Sequence, residues 1–194
     1  MECYSIYNST NPIANLCKFD SNLPESVFGD SFTEYYFKNY SKIHSRSRVV
    51  YHTTIREFPI YNLGISDMVS IVSGHAGMED NTNRYCDFIS KNKFTVRAFE
   101  FKLKDWRKGL LQAYRYKMYS HCSILVVPIN TFNIASKALD TFKSLNVGLW
   151  GYNEESETLR KAYTPRPANL YNDKYFNIFK SKAIKHLSKS QPTL

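Results

Sequence analysis

Glu100 and Lys102 lie two residues apart in a segment with the alternating character of a β-strand. We predict a strand from Phe94 to Leu103, in which successive side chains point to opposite faces of a sheet. Glu100 and Lys102 then share one face, roughly 7 Å apart along the strand. A carboxylate beside an ammonium group can bind a cation, position water or hold a phosphate. The same pair on a solvated surface would need no function, so the neighbouring residues must decide between these interpretations.

Asp67 is a second carboxylate in a core-like segment, a predicted strand from Ile65 to Val72. Taken alone, it could equally be a strand-edge or turn residue. Two carboxylates from neighbouring strands suit a hard divalent cation such as Mg²⁺, which prefers oxygen ligands. Such an ion can neutralise charge on a phosphate and activate water. The residues therefore predict a metal-assisted site in which Lys102 positions or deprotonates the attacking water, or holds the phosphate charge.

Three motifs together resemble the PD-(D/E)xK nuclease superfamily: Asp67, then Glu100-Phe101-Lys102, then the stretch from Gln112 to Tyr116. The last stretch is similar to the Q-x-x-x-Y element of the RecB-like branch. The resemblance covers roughly Ser31 to Trp150. It implies a restriction-endonuclease-like core that uses Mg²⁺ or Mn²⁺ to cleave DNA.

The resemblance also implies a role for each motif residue. Asp67 and Glu100 would be metal ligands, with the carbonyl of Phe101 as a further ligand. Lys102 would be the catalytic lysine. Gln112 and Tyr116 would be accessory residues of the phosphate site, and we include Gln112 among the catalytic residues.

The chain departs from the family pattern at two places. Ser66 precedes Asp67 where the family has proline. The family often adds an acidic residue from its first helix, a place that Glu34 or Glu57 could fill. Glu34 is better explained as the partner of Ser31 in a capping box. Glu57 is either a metal ligand or a surface acid.

Positive charge is concentrated around the motif. Between Lys91 and Lys117 there are nine basic and two acidic residues, an excess of +7 (9 − 2) in a chain whose net charge is +9. Helical spacing places a polar and aromatic stripe on the following helix: Lys108, Gln112, Arg115, Tyr116 and Tyr119. Phosphate contact is the simplest explanation for such a concentration. The residues expected to contact nucleic acid are Lys104, Lys108, Arg115 and Tyr116.

Local patterns predict the elements that must position these residues. The predicted helices are Ser31 to about Lys42, Trp106 to about Tyr119 with Asp105 as its cap, and Ile134 to Leu145. The predicted strands are Val49–Phe58 limited by Pro59, Ile65–Val72, Phe94–Leu103, Ile124–Pro128 and Val147–Trp150. Residues 73–91 would form a long connection with a short turn at 84–89.

This order predicts an α/β fold with a mixed central β-sheet flanked by helices. We divide the chain into an irregular N-terminal arm (1–30), a nuclease-like domain (31–152) and a basic C-terminal appendage with a helix (153–194). No export signal or membrane span is expected. The four cysteines form no C-x-x-C pair, which fits a cytoplasmic protein, and the histidines at 44, 52, 75 and 121 lack metal-ligand spacing.

Three functions fit this pattern. The first is a Mg²⁺-dependent deoxyribonuclease in defence, mobile-element or repair work, with DNA as its partner. The second is a nucleic-acid-binding protein that keeps the fold and the basic face without catalysis. Cleavage of RNA by the same residues is a weaker third. A homodimer is an assembly that the sequence leaves open, and fold alone could not separate these functions.

Overall fold

The computed structural model describes residues 6–8, 23–44, 51–73, 89 and 94–189. Their strands are β1 (Ile6–Asn8), β2 (Tyr51–Ile60), β3 (Gly64–Ser73), β4 (Thr95–Phe101), β5 (Cys122–Pro128), β6 (Gly148–Asn153) and β7 (Thr158–Tyr163). Their α-helices are α1 (Pro24–Lys38), α2 (Tyr40–His44), α3 (Trp106–Tyr116), α4 (Ile129–Ala135), α5 (Leu139–Leu145) and α6 (Asp173–Lys189). None of these helices combines the length and the apolar composition needed to cross a bilayer.

The strands form a single sheet in the order β1 to β7. β1 to β4 are antiparallel neighbours, β4 to β6 are parallel, and β7 is antiparallel to β6. Each parallel step needs a crossover connection, which α3 supplies between β4 and β5, and α4 with α5 between β5 and β6. The predicted fold class, α/β with a mixed central sheet flanked by helices, is confirmed.

Helices cover both faces of the sheet. On one face, α1 and α2 pack aromatic side chains such as Phe32 against Phe99 and Phe101 of β4. On the other face, α6 packs Phe179 in a cluster that contains Ala98 of β4, and α3 to α5 pack on β5 and β6. The predicted alternation of side chains along β4 is therefore confirmed. Glu100 belongs to the face that α3 and α6 cover.

The first helix begins at Pro24, well before the predicted start at Ser31. A proline at the first helical position has no N–H group to leave unsatisfied, which favours this start. The predicted capping box is wrong, because Ser31 lies inside α1 with its hydroxyl 3.1 Å from that of Tyr152. Glu34 instead pairs with Lys38 at 2.5 Å, one turn along the helix surface.

Other elements differ from expectation in extent. A 3₁₀ turn (Ser136–Ala138) separates α4 from α5, where a single helix is predicted. β7 is not predicted from the sequence, because its side chains are exposed or half-buried and form no apolar run. The segments assigned to an arm and an appendage contribute β1, the start of α1, β7 and α6 to the sheet and core. The predicted connection at 73–91, apart from positions 73 and 89, lies outside the described residues.

Helix α3 packs tightly against the sheet at Gly109. A methyl group at this position would lie 2.6 Å from Cδ1 of Leu125 and 2.7 Å from Cγ of Lys102. Leu125 is fully buried in β5 and has little room to move. Glycine therefore allows α3 to approach the end of β4, where Lys102 follows the strand.

Gly109→Ala should destabilise the protein, although glycine-to-alanine changes in unpacked helices usually stabilise by up to about 1 kcal/mol. Overpacking commonly costs about 1–3 kcal/mol, so the free energy of unfolding in urea should fall by about 1–2 kcal/mol. Leu111→Ala, at a 60% exposed position of the same helix, should change it by less than about 0.5 kcal/mol. A more stable Gly109→Ala protein would show that α3 does not approach the sheet this closely.

Candidate active site

Acidic residues lie opposite one another across neighbouring strands. The pairing of β3 with β4 places Asp67 opposite Glu100, one step beyond the pair of Met68 and Phe99. The pairing of β2 with β3 places Glu57 opposite Asp67, but Glu57 has a left-handed backbone (φ 49°) and is skipped by the strand pairing. Directly opposite residues share a face and lie close together. The sheet thus brings together Asp67 and Glu100, which the sequence places in separate strands.

The Glu100 side chain is 1% exposed and bonded at both oxygens. Oε1 accepts from Nζ of Lys102 at 2.8 Å, and Oε2 accepts from the hydroxyl of Tyr116 at 2.5 Å. The Tyr116 hydroxyl is also 2.7 Å from the carbonyl oxygen of Ile65. Because a hydroxyl has one hydrogen, Tyr116 donates fully to Ile65 only when Glu100 is protonated. Burial raises the pKa of Glu100, and the bonds from Lys102 and Tyr116 oppose this rise.

Asp67 is bonded to the backbone of the neighbouring strand. Its Oδ2 accepts the N–H of Phe101 at 2.5 Å. Burial, and after it the negative charge of Glu100, raises the pKa of Asp67 well above its ordinary value. The Phe101 N–H and the Lys102 ammonium offset only part of this effect. The two carboxyl groups therefore compete for the positive charge available to them.

Lys102 bonds several oxygens of the site at once. Besides Glu100, its Nζ donates to the carbonyl oxygen of Phe101 at 2.9 Å and lies 3.4 Å from Oε2 of Glu25. Burial alone would lower the pKa of Lys102, but Glu100, Asp67 and Glu25 outweigh burial, so the pKa is raised. Lys102 is therefore held as a cation. This favours a role in holding negative charge over the alternative of deprotonating water.

Glu25, and not Glu34 or Glu57, is the acidic residue that contacts Lys102 besides Glu100. It lies in the first turn of α1 and, besides contacting Lys102, accepts the Leu103 N–H at 3.3 Å. Glu34 is on the exposed surface of α1, away from these contacts. Glu57 lies 3.7 Å from its neighbour Arg56 and affects Asp67 through its charge. The sequence signal for Glu25 was its position after Pro24, since proline followed by an acid is typical of a helix start.

A cleft of about 500 Å³ lies beside Lys102. It is lined by Leu23, Pro24, Glu25, Lys102, Leu103, Lys104, Asp105, Lys108 and Gln112. Asp105 caps α3 as predicted, by accepting the Lys108 N–H at 3.2 Å. Lys104, Lys108 and Gln112, three of the predicted residues, therefore reach the same cleft as Lys102. Arg115 lines a different cavity.

The predicted stripe on α3 is correct at its polar residues and wrong at its tyrosines. Tyr116 and Tyr119 are 1% and 0% exposed, because both rings lie in the core cluster that also contains Phe179 of α6. Tyr116 is therefore not exposed to contact nucleic acid as predicted, and its hydroxyl contacts Glu100 instead. Gln112 has a buried side-chain oxygen without a hydrogen-bond partner among the described residues. Such a group costs about 1–3 kcal/mol, and because it is an acceptor, only a ligand that donates a hydrogen bond could recover this cost.

The oxygen atoms of the site suit a divalent cation. Mg²⁺ is commonly held by one or two carboxylates and several waters, and Asp67, Glu100 and the Phe101 carbonyl offer such donors. Burial raises the pKa values of both carboxyls and outweighs the positive charge that Lys102 supplies. In the described ranges, no group of three or more His, Cys, Asp or Glu side chains is placed to hold a metal. Asp67 and Glu100 are therefore the two carboxylates available to such an ion. Lys102 bonds both Glu100 and the Phe101 carbonyl, so it would have to give up one of these bonds when the ion binds.

Comparison with protein-family models, with curated proteins and with solved structures finds no match for this chain. The resemblance to the PD-(D/E)xK superfamily therefore depends on the motif residues alone. What the site can do must be argued from its geometry and its charge.

In metal-free protein, Asp67→Asn should increase stability at neutral pH. Because the folded state raises the pKa of Asp67, the folded protein binds this proton more tightly than the unfolded chain. Stability is then lost as the pH rises from about 4, the unfolded value, through the folded-state pKa. Asparagine cannot ionise, so the advantage of the variant in Tm, measured in EDTA, should be absent near pH 4 and grow towards pH 8.

Asp140→Asn is the matched control, since Asp140 is fully exposed on α5. Its Tm should stay close to that of the wild type. An Asp67→Asn protein that is less stable than the wild type by the same amount at every pH would contradict the raised pKa of Asp67.

Proposed function

We propose that this protein is a metal-dependent nuclease that hydrolyses phosphodiester bonds of DNA. The observation that supports this most strongly is Asp67 lying opposite Glu100, with Lys102 bonded to Glu100 at the side of a lysine-lined cleft. Buried carboxyls with raised pKa values beside a specific charged partner are typical of functional sites, and here that partner, Lys102, lines the cleft. The resemblance of the motif residues to the PD-(D/E)xK superfamily suggests the class of reaction.

Each side chain of the site has a role in this proposal. Asp67, Glu100 and the Phe101 carbonyl hold the Mg²⁺ or Mn²⁺ ion, which when bound supplies Lewis acidity toward the phosphate and the attacking water. Lys102, whose side chain is 13% exposed at the cleft, holds the negative charge of the phosphate. Tyr116 keeps Glu100 in position through its 2.5 Å hydrogen bond.

The cleft supplies affinity for the DNA backbone. Lys104 and Lys108 are exposed beside Lys102, and contacts from lysine to phosphate release counterions on binding. Gln112 also lines the cleft, and the NH2 group of its amide is a further donor that can bond a phosphate oxygen. The choice of DNA over RNA comes from the resemblance, and RNA remains the alternative substrate for the same residues.

A nucleic-acid-binding protein without catalysis is the second candidate. It is favoured by the Lys102 ammonium, which already bonds Glu100 and the Phe101 carbonyl. A protein that had lost ion binding would use this lysine to neutralise the buried carboxylate permanently. Both candidates predict binding in the cleft, and only the first predicts cleavage.

We place the protein in the cytoplasm, because its cysteines lack a metal-binding or redox pair. Cys122, the cysteine in the described part of the chain, is buried, with its Sγ 3.7 Å from the carbonyl oxygen of Pro165. A homodimer stays a prediction, which light scattering of the purified protein can check.

Asp67→Asn and Glu100→Gln should each reduce Mg²⁺-dependent DNA cleavage by about 100-fold or more, since removal of a ligand forfeits several kcal/mol of transition-state stabilisation. DNA affinity in EDTA should change by less than about threefold, because lysine contacts supply it. Lys102→Met should also lose cleavage but bind Mn²⁺ at least as tightly in calorimetry, since the lysine no longer competes for Glu100. The cleavage assay compares linear, circular and single-stranded DNA, and RNA, with Mg²⁺, Mn²⁺ or EDTA.

Asp140→Asn, at the fully exposed position on α5, should cleave like the wild type. If the wild-type protein cuts none of these nucleic acids with either ion, the nuclease proposal fails and the non-catalytic binding protein takes its place. Cleavage of RNA alone would overturn the choice of substrate.

Lys104→Ala and Lys108→Ala should weaken DNA binding most at low salt. If each lysine contacts one phosphate of duplex DNA, each variant should reduce the slope of log Kd against log salt by about 0.9. Fluorescence anisotropy between 50 and 200 mM salt, the range over which such contacts matter, measures this slope. Lys143→Ala, on the exposed surface of α5, should leave it unchanged, and an equal effect of all three variants would contradict a specific cleft.

A further inference from the structure

A second, smaller cavity lies at the C-terminal end of α3. Its volume is about 160 Å³, and it is lined by Leu63, Tyr114, Arg115, Lys117, Met118 and Tyr171. Pockets for whole small molecules usually exceed roughly 300 Å³, so this one suits a single ring system. Tyr114 and Tyr171 are 44% and 61% exposed, although large aromatic side chains of this chain are mostly buried in its described parts.

Lys117 contacts the rings of both tyrosines. Its Nζ lies 5.2 Å from the ring centroid of Tyr114 and 4.6 Å from that of Tyr171, within the range of cation–π attraction. The same ammonium donates to the Leu145 carbonyl oxygen at 2.7 Å, and the residue is only 8% exposed. The lysine is thus fixed by α5 and by both rings. Two exposed rings over a fixed cation form a preorganised surface for an electron-rich planar ligand.

The cavity adjoins the cleft along α3. Gln112 lines the cleft and Arg115 lines the cavity, and residues three apart on a helix are surface neighbours, with Cβ atoms roughly 5–6 Å apart. Tyr116, the next residue, bonds Glu100 of the candidate active site. A chain of phosphates that passes Lys108 and Gln112 would therefore reach Arg115 at the rim of the cavity.

We infer that this cavity binds one unpaired nucleobase of the strand whose backbone lies in the cleft. The base stacks on Tyr171 or Tyr114, and Arg115 contacts the adjoining phosphate. Because a base inside a duplex cannot enter the cavity, the favoured substrate is a single strand or a frayed duplex end. The inference rests on the proposed function for the position of the strand, and it adds the class of nucleic acid.

The test measures binding separately from cleavage. The probes are a fluorescent single-stranded oligonucleotide and a blunt duplex of the same length, each titrated by anisotropy in EDTA. Tyr171→Leu should weaken binding of the single strand by about fivefold or more, since one base stacked on an aromatic ring contributes about 5- to 150-fold in affinity. Duplex binding should change by less than about twofold. Tyr171→Phe, which keeps the ring, should bind both probes like the wild type.

Tyr114→Leu repeats the test from the other ring, and thermal melting shows whether each variant is folded. Equal weakening of both probes by the leucine variants, or weakening of neither, would overturn the base site. Mg²⁺-dependent cleavage by the wild type tests the proposed function independently. If the protein cleaves DNA but the tyrosine variants bind like the wild type, only the base site is overturned. If the tyrosine variants bind the single strand more weakly but the wild type does not cleave, only the nuclease proposal is overturned.

Discussion

Asp67 and Glu100 place two carboxyl groups opposite each other where the sheet excludes most water, and such groups are costly to bury unless protons or cations compensate them. β4 and α3 supply part of that compensation. β4 contributes the Phe101 N–H and leads into Lys102, and α3 contributes the Tyr116 hydroxyl. Glu25 of α1 pairs with Lys102, but its negative charge raises the pKa of Glu100 further. The position of α3 relative to the sheet can therefore be understood from the cost of burying these charges.

The opposite face of the sheet supports the same backbone. Arg56, which is 2% exposed, donates from Nε to the carbonyl oxygen of Asp67 at 2.9 Å and from Nη1 to Asp30 of α1 at 2.5 Å. Its guanidinium group also lies 5.3 Å from the ring centroid of Phe101. A buried ion pair is by itself weak evidence for stability, but these contacts join Arg56 to the backbone of β3, to α1 and to Phe101. Helix α1 thus reaches both faces of the site, through Asp30 on one side and Glu25 on the other.

Features with a local cause could be predicted from the sequence, and features with a tertiary cause could not. The alternation of β4 and the Asp105 cap follow from strand periodicity and side-chain chemistry. The start of α1 was obscured because Ser31 and Glu34 imitate a cap inside a helix that Pro24 begins. Helical spacing groups Tyr116 with Gln112 but cannot show that the helix ends there and faces the core. Glu25 has no partner within its own segment, so its role depends on α1 meeting the end of β4.

The bridge that Lys102 makes between Glu100 and the Phe101 carbonyl also bears on how the chain matures. In proteins whose structural metals bind only clustered thiolates or carboxylates, the like charges of the empty site repel one another, and the chain folds only when the ion binds. Here the Lys102 ammonium supplies part of the positive charge from within the chain. Under the proposed function, uptake of a divalent ion would then be a reversible exchange of one cation for another, and activity could follow the supply of such ions without refolding.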